Sequence, residues 1–253
     1  MLRFKDKVVL VTGASRGVGR TIAILFAQKA AKVVVDYHVS DYEPNAEKNA
    51  QKVIAEIKEM GGKTTLVRAD VSDEKQVKQL VSKTISVYGK IDILVNNAGV
   101  VYDLPISERT AKQWQTTVNT NLYGNYLCSK YVSQEMLKTG GGVIINLASS
   151  SGTDSFSPES IDYDATKVGI ISLTKNFAKE LAPTIRVVGV APGWINTEMN
   201  KDLTKEFVKQ ETEEIYLKRF AEPGEIAKVI LFLASDDASF INGSTVTVDG
   251  GHD

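Results

Sequence analysis

The stretch from Val8 to Gly19, VVLVTGASRGVG, decides the fold of this 253-residue chain. A run of apolar, mostly β-branched residues leads directly into a loop with Gly13, Gly17 and Gly19, and an apolar helix-like segment follows at residues 21–26. Gly13 allows a tight turn, and the later glycines let the backbone come close to an anion at the helix N-terminus. Glycine spacing alone is weak evidence, but the strand before the loop and the helix after it predict a pyrophosphate-binding turn.

Working outward, the same pattern of strand and helix recurs along the chain. Compact β-branched runs alternate with longer stretches of helical spacing, which predicts repeated βαβ units and a parallel sheet of about seven strands. Most of the runs are too apolar to face water on one side, so helices should cover both faces in a Rossmann-type, doubly wound α/β fold. The predicted strands are residues 8–12, 32–37, 64–68, 91–96, 143–147, 185–191 and 244–248. The predicted helices are residues 17–28, 45–60, 74–88, 126–137, 163–181 and 223–234.

Composition bounds the organisation and the partners. No break suggests a linker, so residues 1–253 should form one domain, and the net charge of -1 makes nucleic acid or an anionic membrane a poor partner. There is no secretory signal, no apolar run of membrane-spanning length and only one cysteine, Cys128, which predicts a cytoplasmic chain with a packed thiol. No metal site is predicted. The irregular stretches 150–162 and 194–222 should build a pocket for a small molecule.

Several further motifs occur in a fixed order. Asn96-Asn97-Ala98-Gly99 follows the fourth strand, Tyr163 and Lys167 form a Y-x-x-x-K motif, Pro192-Gly193 follows the sixth strand, and Val248-Asp249-Gly250-Gly251 closes the chain. With the T-G-x-x-x-G-x-G loop and Asp70-Val71 after the third strand, the chain resembles the short-chain dehydrogenase/reductase family over essentially its full length. That resemblance implies an enzyme that moves a hydride between a nicotinamide and a carbonyl/alcohol pair.

The resemblance also implies which residues hold the cofactor. They come from the glycine loop, the end of the second strand, the segments after the third, fourth and sixth strands, and the Y-x-x-x-K motif. These positions are Gly13, Ser15, Arg16, Gly17, Val18, Gly19, Tyr37, His38, Asp70, Val71, Asn97, Ala98, Gly99, Tyr163, Lys167, Pro192, Gly193, Ile195 and Thr197.

The choice between NADP(H) and NAD(H) depends on residues near the second strand. Asp36 by itself favours NAD, but the NAD-selecting aspartate of the family comes one position later, at Tyr37, and a shift of one residue turns a side chain to the opposite face. Arg16 matches a basic residue common in NADP-dependent members, and His38 offers another donor. NADP(H) is therefore favoured, with NAD(H) as the alternative.

The catalytic hypothesis centres on Tyr163. On a helix Tyr163 and Lys167 project from the same face, where the ammonium of Lys167 should lower the pKa of Tyr163. By resemblance Tyr163 transfers the proton, and Lys167 binds the nicotinamide ribose. Counting from Asn146 selects Ser149 as the residue that binds the substrate oxygen, whereas counting back from Tyr163 selects Ser150.

A fourth family residue matches Asn121, which should hold a water that connects Lys167 to solvent, with Asn119 as the competing choice. Within the family the chain most resembles the 3-oxoacyl-carrier-protein reductase branch. The expected reaction is reduction of a 3-oxoacyl thioester or a related ketone, and oxidation of a sugar, a polyol or another secondary alcohol is the alternative. A catalytically silent dinucleotide-binding regulator is a remote possibility.

An apolar pocket would suit an acyl chain or a ring. Candidate lining residues are Tyr102, Leu104, Phe156, Ile161, Trp194, Met199, Phe207 and Tyr216, while Asp154 and Glu159 would suit a sugar. The family usually forms homotetramers, so the same assembly is expected here through helices 126–137 and 163–181. Residues 135–142 lack the basic cluster of many carrier-protein reductases, which makes docking of a carrier protein doubtful.

Overall fold

The architecture is one parallel sheet between two layers of helices. The computed structural model describes residues 4–154, 157–201 and 203–251. Its strands are β1 Val8–Val11, β2 Lys32–Tyr37, β3 Lys63–Arg68, β4 Ile93–Asn96, β5 Gly142–Leu147, β6 Ile185–Pro192 and β7 Thr245–Val248. They form one sheet in the order β3-β2-β1-β4-β5-β6-β7, and all the pairs are parallel. The strand order therefore reverses between β1 and β4, which is where ligands bind in sheets of this kind.

Helices cover both faces of the sheet. They are α1 Gly17–Gln28, α2 Ala46–Glu59, α3 Glu74–Tyr88, α4 Ala111–Thr117, α5 Gly124–Lys138, α6 Ile161–Leu181, α7 Lys205–Glu214 and α8 Pro223–Ala234. Helices α1, α2 and α8 pack together on one face, and α3, α5 and α6 on the other. Alternate residues of β1 serve the two cores, because Val9 and Val11 belong to the first and Leu10 to the second. The prediction of a doubly wound parallel sheet is confirmed.

Local sequence signals explain where some helices begin. Asp73 Oδ1 accepts hydrogen bonds from the backbone N–H groups of Lys75 and Gln76 at 2.8 and 3.2 Å, and so caps α3. Pro223 occupies the first turn of α8, where its missing N–H removes no helical hydrogen bond.

Two helices were not predicted from the sequence. Helix α7 lies inside residues 194–222, so the prediction of an irregular stretch there is wrong in part. None of its described side chains is buried, so its sequence carries no apolar stripe from which a helix could be recognised. Helix α4, with Thr117 as its single buried residue, lacks that stripe as well, and it continues into a π-helical turn, Val118–Tyr123, before α5.

Cys128 lies on the inner face of α5, packed in the core on the α3, α5 and α6 side. Burial raises the pKa of its thiol well above the usual range, so the reactive thiolate is disfavoured.

None of the helices within the described residues has both the length and the apolar character needed to cross a bilayer.

Candidate active site

A cavity of about 1110 Å³ opens at the carboxyl ends of the strands, over the point where the strand order reverses. The glycine loop after β1 and the segments after β2 to β6 contribute to its wall. Most of the predicted cofactor-binding residues line it: Gly13, Ser15, Arg16, Gly17, Val18, Gly19, His38, Asp70, Val71, Asn97, Ala98, Gly99, Tyr163, Lys167, Pro192, Gly193, Ile195 and Thr197. Residues far apart in the sequence therefore form one elongated site.

The glycine loop is held tightly against the segment after β4. Gly13 has φ +61°, and a Cβ there would lie 2.8 Å from Ala98 Cα; at Gly19 a Cβ would lie 2.5 Å from Gly13 O. Asn97 Nδ2 donates to the carbonyls of Thr12 and Gly13, both at 2.9 Å. The side chain of Arg16, the N-cap residue of α1, makes no capping hydrogen bond, which leaves the first N–H groups of the helix available for an anion. This cradle, which a Cβ would fill, fits the pyrophosphate of a dinucleotide.

The end of β2 differs from the prediction at one residue. Tyr37 does not line the cavity, because its side chain packs in the core on the α1 and α2 side. Asp36, on the opposite face of the strand, does line the cavity, and its Oδ2 accepts a hydrogen bond from Gly13 N at 3.2 Å. Burial raises the pKa of Asp36 to about 8. Asp36 therefore supports the glycine loop, and the assignment of Tyr37 to the cofactor is not supported.

The side chains of His38 and Arg16, predicted to contact the cofactor near this end, both approach carboxylates. His38 Nε2 lies 3.7 Å from Asp70 Oδ2, and Arg16 Nε lies 3.4 Å from Glu43 Oε2. Glu43 and its neighbour Tyr42 line the cavity, although nothing in their sequence context marks them as more than part of a polar loop. Sequence reasoning missed both residues.

Helix α6 and the end of β5 bring the proposed catalytic residues together. The Ser149 hydroxyl lies close enough to Tyr163 to lower the Tyr163 pKa, and Lys167 Nζ lies 5.1 Å from the centre of the Tyr163 ring. Lys167 Nζ donates to the carbonyl of Leu147 at 2.8 Å. A Cβ on Gly152 would come within 2.8 Å of the Lys167 backbone, so a small residue is needed where this turn meets α6. Ser149, Ser150, Tyr163 and Lys167 all line the cavity.

Burial shifts the pKa values of Tyr163 and Lys167. Part of the Tyr163 ring is exposed, but desolvation of its hydroxyl raises the pKa to about 12, against a lowering effect of the Ser149 hydrogen bond. Burial lowers the pKa of Lys167 to about 8. Desolvation is the largest influence on the Tyr163 pKa, and the expectation that Lys167 lowers this pKa stays a prediction.

Asn121 lies behind the cavity wall, in the π-helical turn. Its Oδ1 accepts from Val100 N at 2.8 Å, and its Nδ2 donates to Val100 O at 2.9 Å and to Thr166 Oγ1 at 3.3 Å. The side chain thus joins the segment after β4 to helix α6 and is absent from the cavity lining, whereas the competing Asn119 contributes to it.

The far end of the cavity is more polar than predicted. Tyr102, Trp194 and Phe207 line it, but Leu104, Ile161 and Tyr216 do not. Phe156 and the side chain of Met199 lie outside the described residues. The carboxylates of Asp103, Asp154 and Glu159 also line this end, and desolvation, followed by the nearby charge of Glu159, raises the pKa of Asp103. The prediction of a mostly apolar pocket is therefore only partly correct.

Comparison with known proteins agrees with this fold and site. A family model described as enoyl-(acyl carrier protein) reductase matches residues 13–253. Two solved structures superpose with TM-scores of 0.91: a dehydrogenase/reductase from Sinorhizobium meliloti, 32% identical over 99% of this chain and 96% of that one, and a short-chain type dehydrogenase/reductase from Mycobacterium marinum, 34% identical with the same coverage. The chain belongs to the short-chain dehydrogenase/reductase family and is a nicotinamide-dependent oxidoreductase of carbonyl and alcohol groups.

Its curated relatives point to one branch of that family. The 3-oxoacyl-[acyl-carrier-protein] reductase of Staphylococcus epidermidis is 40% identical over 247 residues, which is 97% of this chain and 98% of the relative. The reductase of the same name from Thermotoga maritima is 37% identical over 251 residues, 99% of each chain. The chain is therefore similar to 3-oxoacyl-carrier-protein reductases along nearly its whole length.

Proposed function

We propose that this enzyme reduces the ketone of a 3-oxoacyl thioester, or a related ketone, with NADPH favoured over NADH. The observation that carries the proposal is the placement of Tyr163 beside Ser149, with Lys167 Nζ 5.1 Å from the centre of its ring, on the wall of the dinucleotide-shaped cavity. The relatives named as 3-oxoacyl-[acyl-carrier-protein] reductases supply the substrate class.

When bound, a reduced nicotinamide would supply the hydride that the ketone carbon accepts. Tyr163 gives its proton to the carbonyl oxygen, and Ser149 donates a hydrogen bond to the same oxygen as negative charge develops there. With a pKa of about 12, Tyr163 keeps its proton at neutral pH, which is the form that reduction needs. Lys167, with its ammonium held on the Leu147 carbonyl, stabilises the phenolate left after transfer and hydrogen-bonds the nicotinamide ribose.

The contacts within the site bear on the choice between Ser149 and Ser150 and on the role of Asn121. Ser149 is preferred to Ser150 because Ser149 is the serine close enough to Tyr163 to lower the Tyr163 pKa. Asn121 acts as a positioning residue, because its amide fixes Val100 and Thr166 and so sets the path of the chain around Lys167.

The residues present fit a nicotinamide dinucleotide. The uncapped N-terminus of α1 and the glycine cradle would hold its pyrophosphate, and Asp70 and Val71 would lie beside its adenine. The favoured NADP(H) rests on Arg16, whose guanidinium lies at the cavity wall and 5.4 Å from the centre of the Tyr42 ring. At the other end of the site, Pro192, Gly193, Ile195 and Thr197 would flank the nicotinamide.

A second candidate reaction is the oxidation of a sugar or a polyol. The observation that favours it is the set of carboxylates at the substrate end, Asp103, Asp154 and Glu159, because carboxylates accept hydrogen bonds from hydroxyl groups. A remote third candidate, a catalytically silent regulator, would bind dinucleotide without turnover.

The decisive assay follows nicotinamide absorbance with a short 3-oxoacyl thioester, with NADPH and NADH compared. A thioester with a C=C bond tests the reaction named by the matching family model, and an alcohol and polyol panel is run in the oxidative direction. Tyr163→Phe should lower kcat by about 10²–10⁴-fold while dinucleotide still binds. Tyr123→Phe, on an exposed ring outside the cavity, is the matched control. Near-normal turnover by Tyr163→Phe would show that Tyr163 is not the proton donor.

The enzyme is also proposed to assemble as a homotetramer through α5 and α6. Exposed apolar side chains support this, since Tyr126 lies on α5, Val168 lies on α6 and Phe240 is fully exposed near the C-terminal end. Sedimentation at micromolar concentration measures the oligomeric state, and a monomer would contradict the proposed homotetramer.

Docking of a carrier protein stays doubtful, and the cytoplasmic location stays a prediction.

A further inference from the structure

The connection from β2 to α2 places a carboxylate directly over the glycine loop. Ser40 and Glu43 form an isolated antiparallel bridge, in which Glu43 N donates to Ser40 O at 3.1 Å and to Ser40 Oγ at 3.3 Å. Tyr42, within this turn, has its ring 5.9 Å from the ring of Tyr102. Val101 N donates to Tyr42 Oη at 3.5 Å. The turn is thus held from both sides of the cavity, which fixes where Glu43 lies.

The carboxylate of Glu43 engages the two polar side chains of the glycine loop. Its Oε2 accepts from Ser15 Oγ at 2.9 Å and lies 3.4 Å from Arg16 Nε. Its Oε1 accepts from Asn49 Nδ2 at 3.4 Å. The Glu43 side chain is 15% exposed and that of Arg16 is 26% exposed, so solvent screens the pair only in part.

The position of this cluster relates it to the adenosine ribose. A dinucleotide on this fold puts its pyrophosphate on the N-terminus of α1 and its adenosine ribose toward the end of β2. Ser15 and Arg16 lie between those two points, so a 2′-phosphate would need the same hydroxyl and guanidinium that Glu43 already holds. A 2′-hydroxyl carries no charge and can donate to the carboxylate instead.

We propose that Glu43 is a specificity-determining residue that opposes the 2′-phosphate of NADP(H) and brings the affinities for NADPH and NADH closer together. This inference rests on the proposed use of a nicotinamide dinucleotide. Arg16 attracts the phosphate and Glu43 repels it, so the balance between these two side chains sets the cofactor preference.

The test measures binding of adenosine 2′,5′-bisphosphate and of ADP by calorimetry, which requires no turnover and no knowledge of the substrate. Glu43→Gln retains the shape of the side chain and removes its charge. It should tighten binding of the 2′-phosphorylated ligand about tenfold or more and change ADP binding by less than about threefold. Arg16→Gln should weaken the 2′-phosphorylated ligand selectively. Glu47→Gln removes an exposed charge outside the cavity, next to the same turn, and is the matched control.

Each outcome bears on the proposal. Unchanged binding of the bisphosphate by Glu43→Gln, equal tightening of both ligands, or the same gain in the Glu47→Gln control would overturn the role of Glu43 while leaving the proposed reaction intact. Failure of the wild-type enzyme to bind either ligand would overturn the dinucleotide site, and with it both proposals. Thermal unfolding of the folded variants, which should match the wild type, accompanies the titrations. If Glu43→Gln does not fold, Glu43→Ser removes the same charge and must give the same selective gain.

Discussion

A buried ion pair next to Tyr163 makes the sharpest stability prediction. Arg109 Nη1 lies 2.6 Å from Asp162 Oδ1, and the two side chains are 3% and 0% exposed. Arg109 Nη2 also donates to the carbonyls of Tyr102 at 2.6 Å and Leu104 at 3.2 Å, and to that of Glu159. The pair thus joins the connection before α4 to the first turn of α6, one residue before Tyr163.

Replacing Asp162 by Asn leaves the guanidinium of Arg109 buried without a counter-charge. Loss of one partner from a buried pair typically costs about 3–5 kcal/mol of unfolding free energy, because the remaining charge stays desolvated. For a chain of this size about 1 kcal/mol corresponds to roughly 2–4 °C in Tm, so Asp162→Asn should lower Tm by roughly 6–20 °C.

Thermal and urea unfolding, followed by circular dichroism at one fixed protein concentration, measures this loss. Arg219→Gln breaks the exposed Arg219–Glu225 pair and should change Tm little, which makes it the matched control. Arg109→Met combined with Asp162→Leu removes both charges and should be more stable than Asp162→Leu alone. The reasoning fails if Asp162→Asn unfolds within about 2 °C of the wild type, because that shift is no larger than a typical surface substitution gives.

Two further predictions follow from the site. Gly19→Ala should abolish dinucleotide binding, because the added Cβ would lie 2.4 Å from Asn97 Nδ2 and 2.5 Å from Gly13 O. Fluorescence titration with NADPH and NADH measures the binding. Unchanged affinity would contradict the assignment of the glycine loop to the pyrophosphate. For ketone reduction, kcat/KM should be highest below pH 7 and fall as pH rises through about 8. Burial lowers the Lys167 pKa to about 8, and only the charged form of Lys167 stabilises the Tyr163 phenolate. A pH–rate profile with Lys167→Arg as the permanently charged comparison tests that sign, and a flat wild-type profile from pH 7 to roughly 9.5 would reject it.

The order of strands and long helices along the chain could be predicted from the spacing of apolar residues, which depends on neighbouring positions in the sequence. Continuous apolar runs become strands buried on both faces, and the strand, glycine loop and helix at residues 8–28 form as predicted. Helix α7 escaped prediction because its sequence is mostly polar and none of its described side chains is buried.

Site residues that belong to local motifs could also be predicted. Tyr163 and Lys167 lie four residues apart on a helix, so their common face follows from helical geometry. Tyr37 was misassigned because its side chain belongs to the core while Asp36 faces the glycine loop, a choice that depends on how β2 sits in the sheet.

The sequence by itself determined the fold class, the anion-binding glycine loop and the tyrosine–lysine pair, because each depends on residues close together in the chain. Which side chains distant in the chain meet was decided only by the tertiary structure: Glu43 lies on Ser15 and Arg16, Asn121 on Val100, and Arg109 on Asp162. These contacts join segments between 21 and 53 residues apart. The strength of these contacts depends on burial, and burial is a property of the folded molecule that no local pattern encodes.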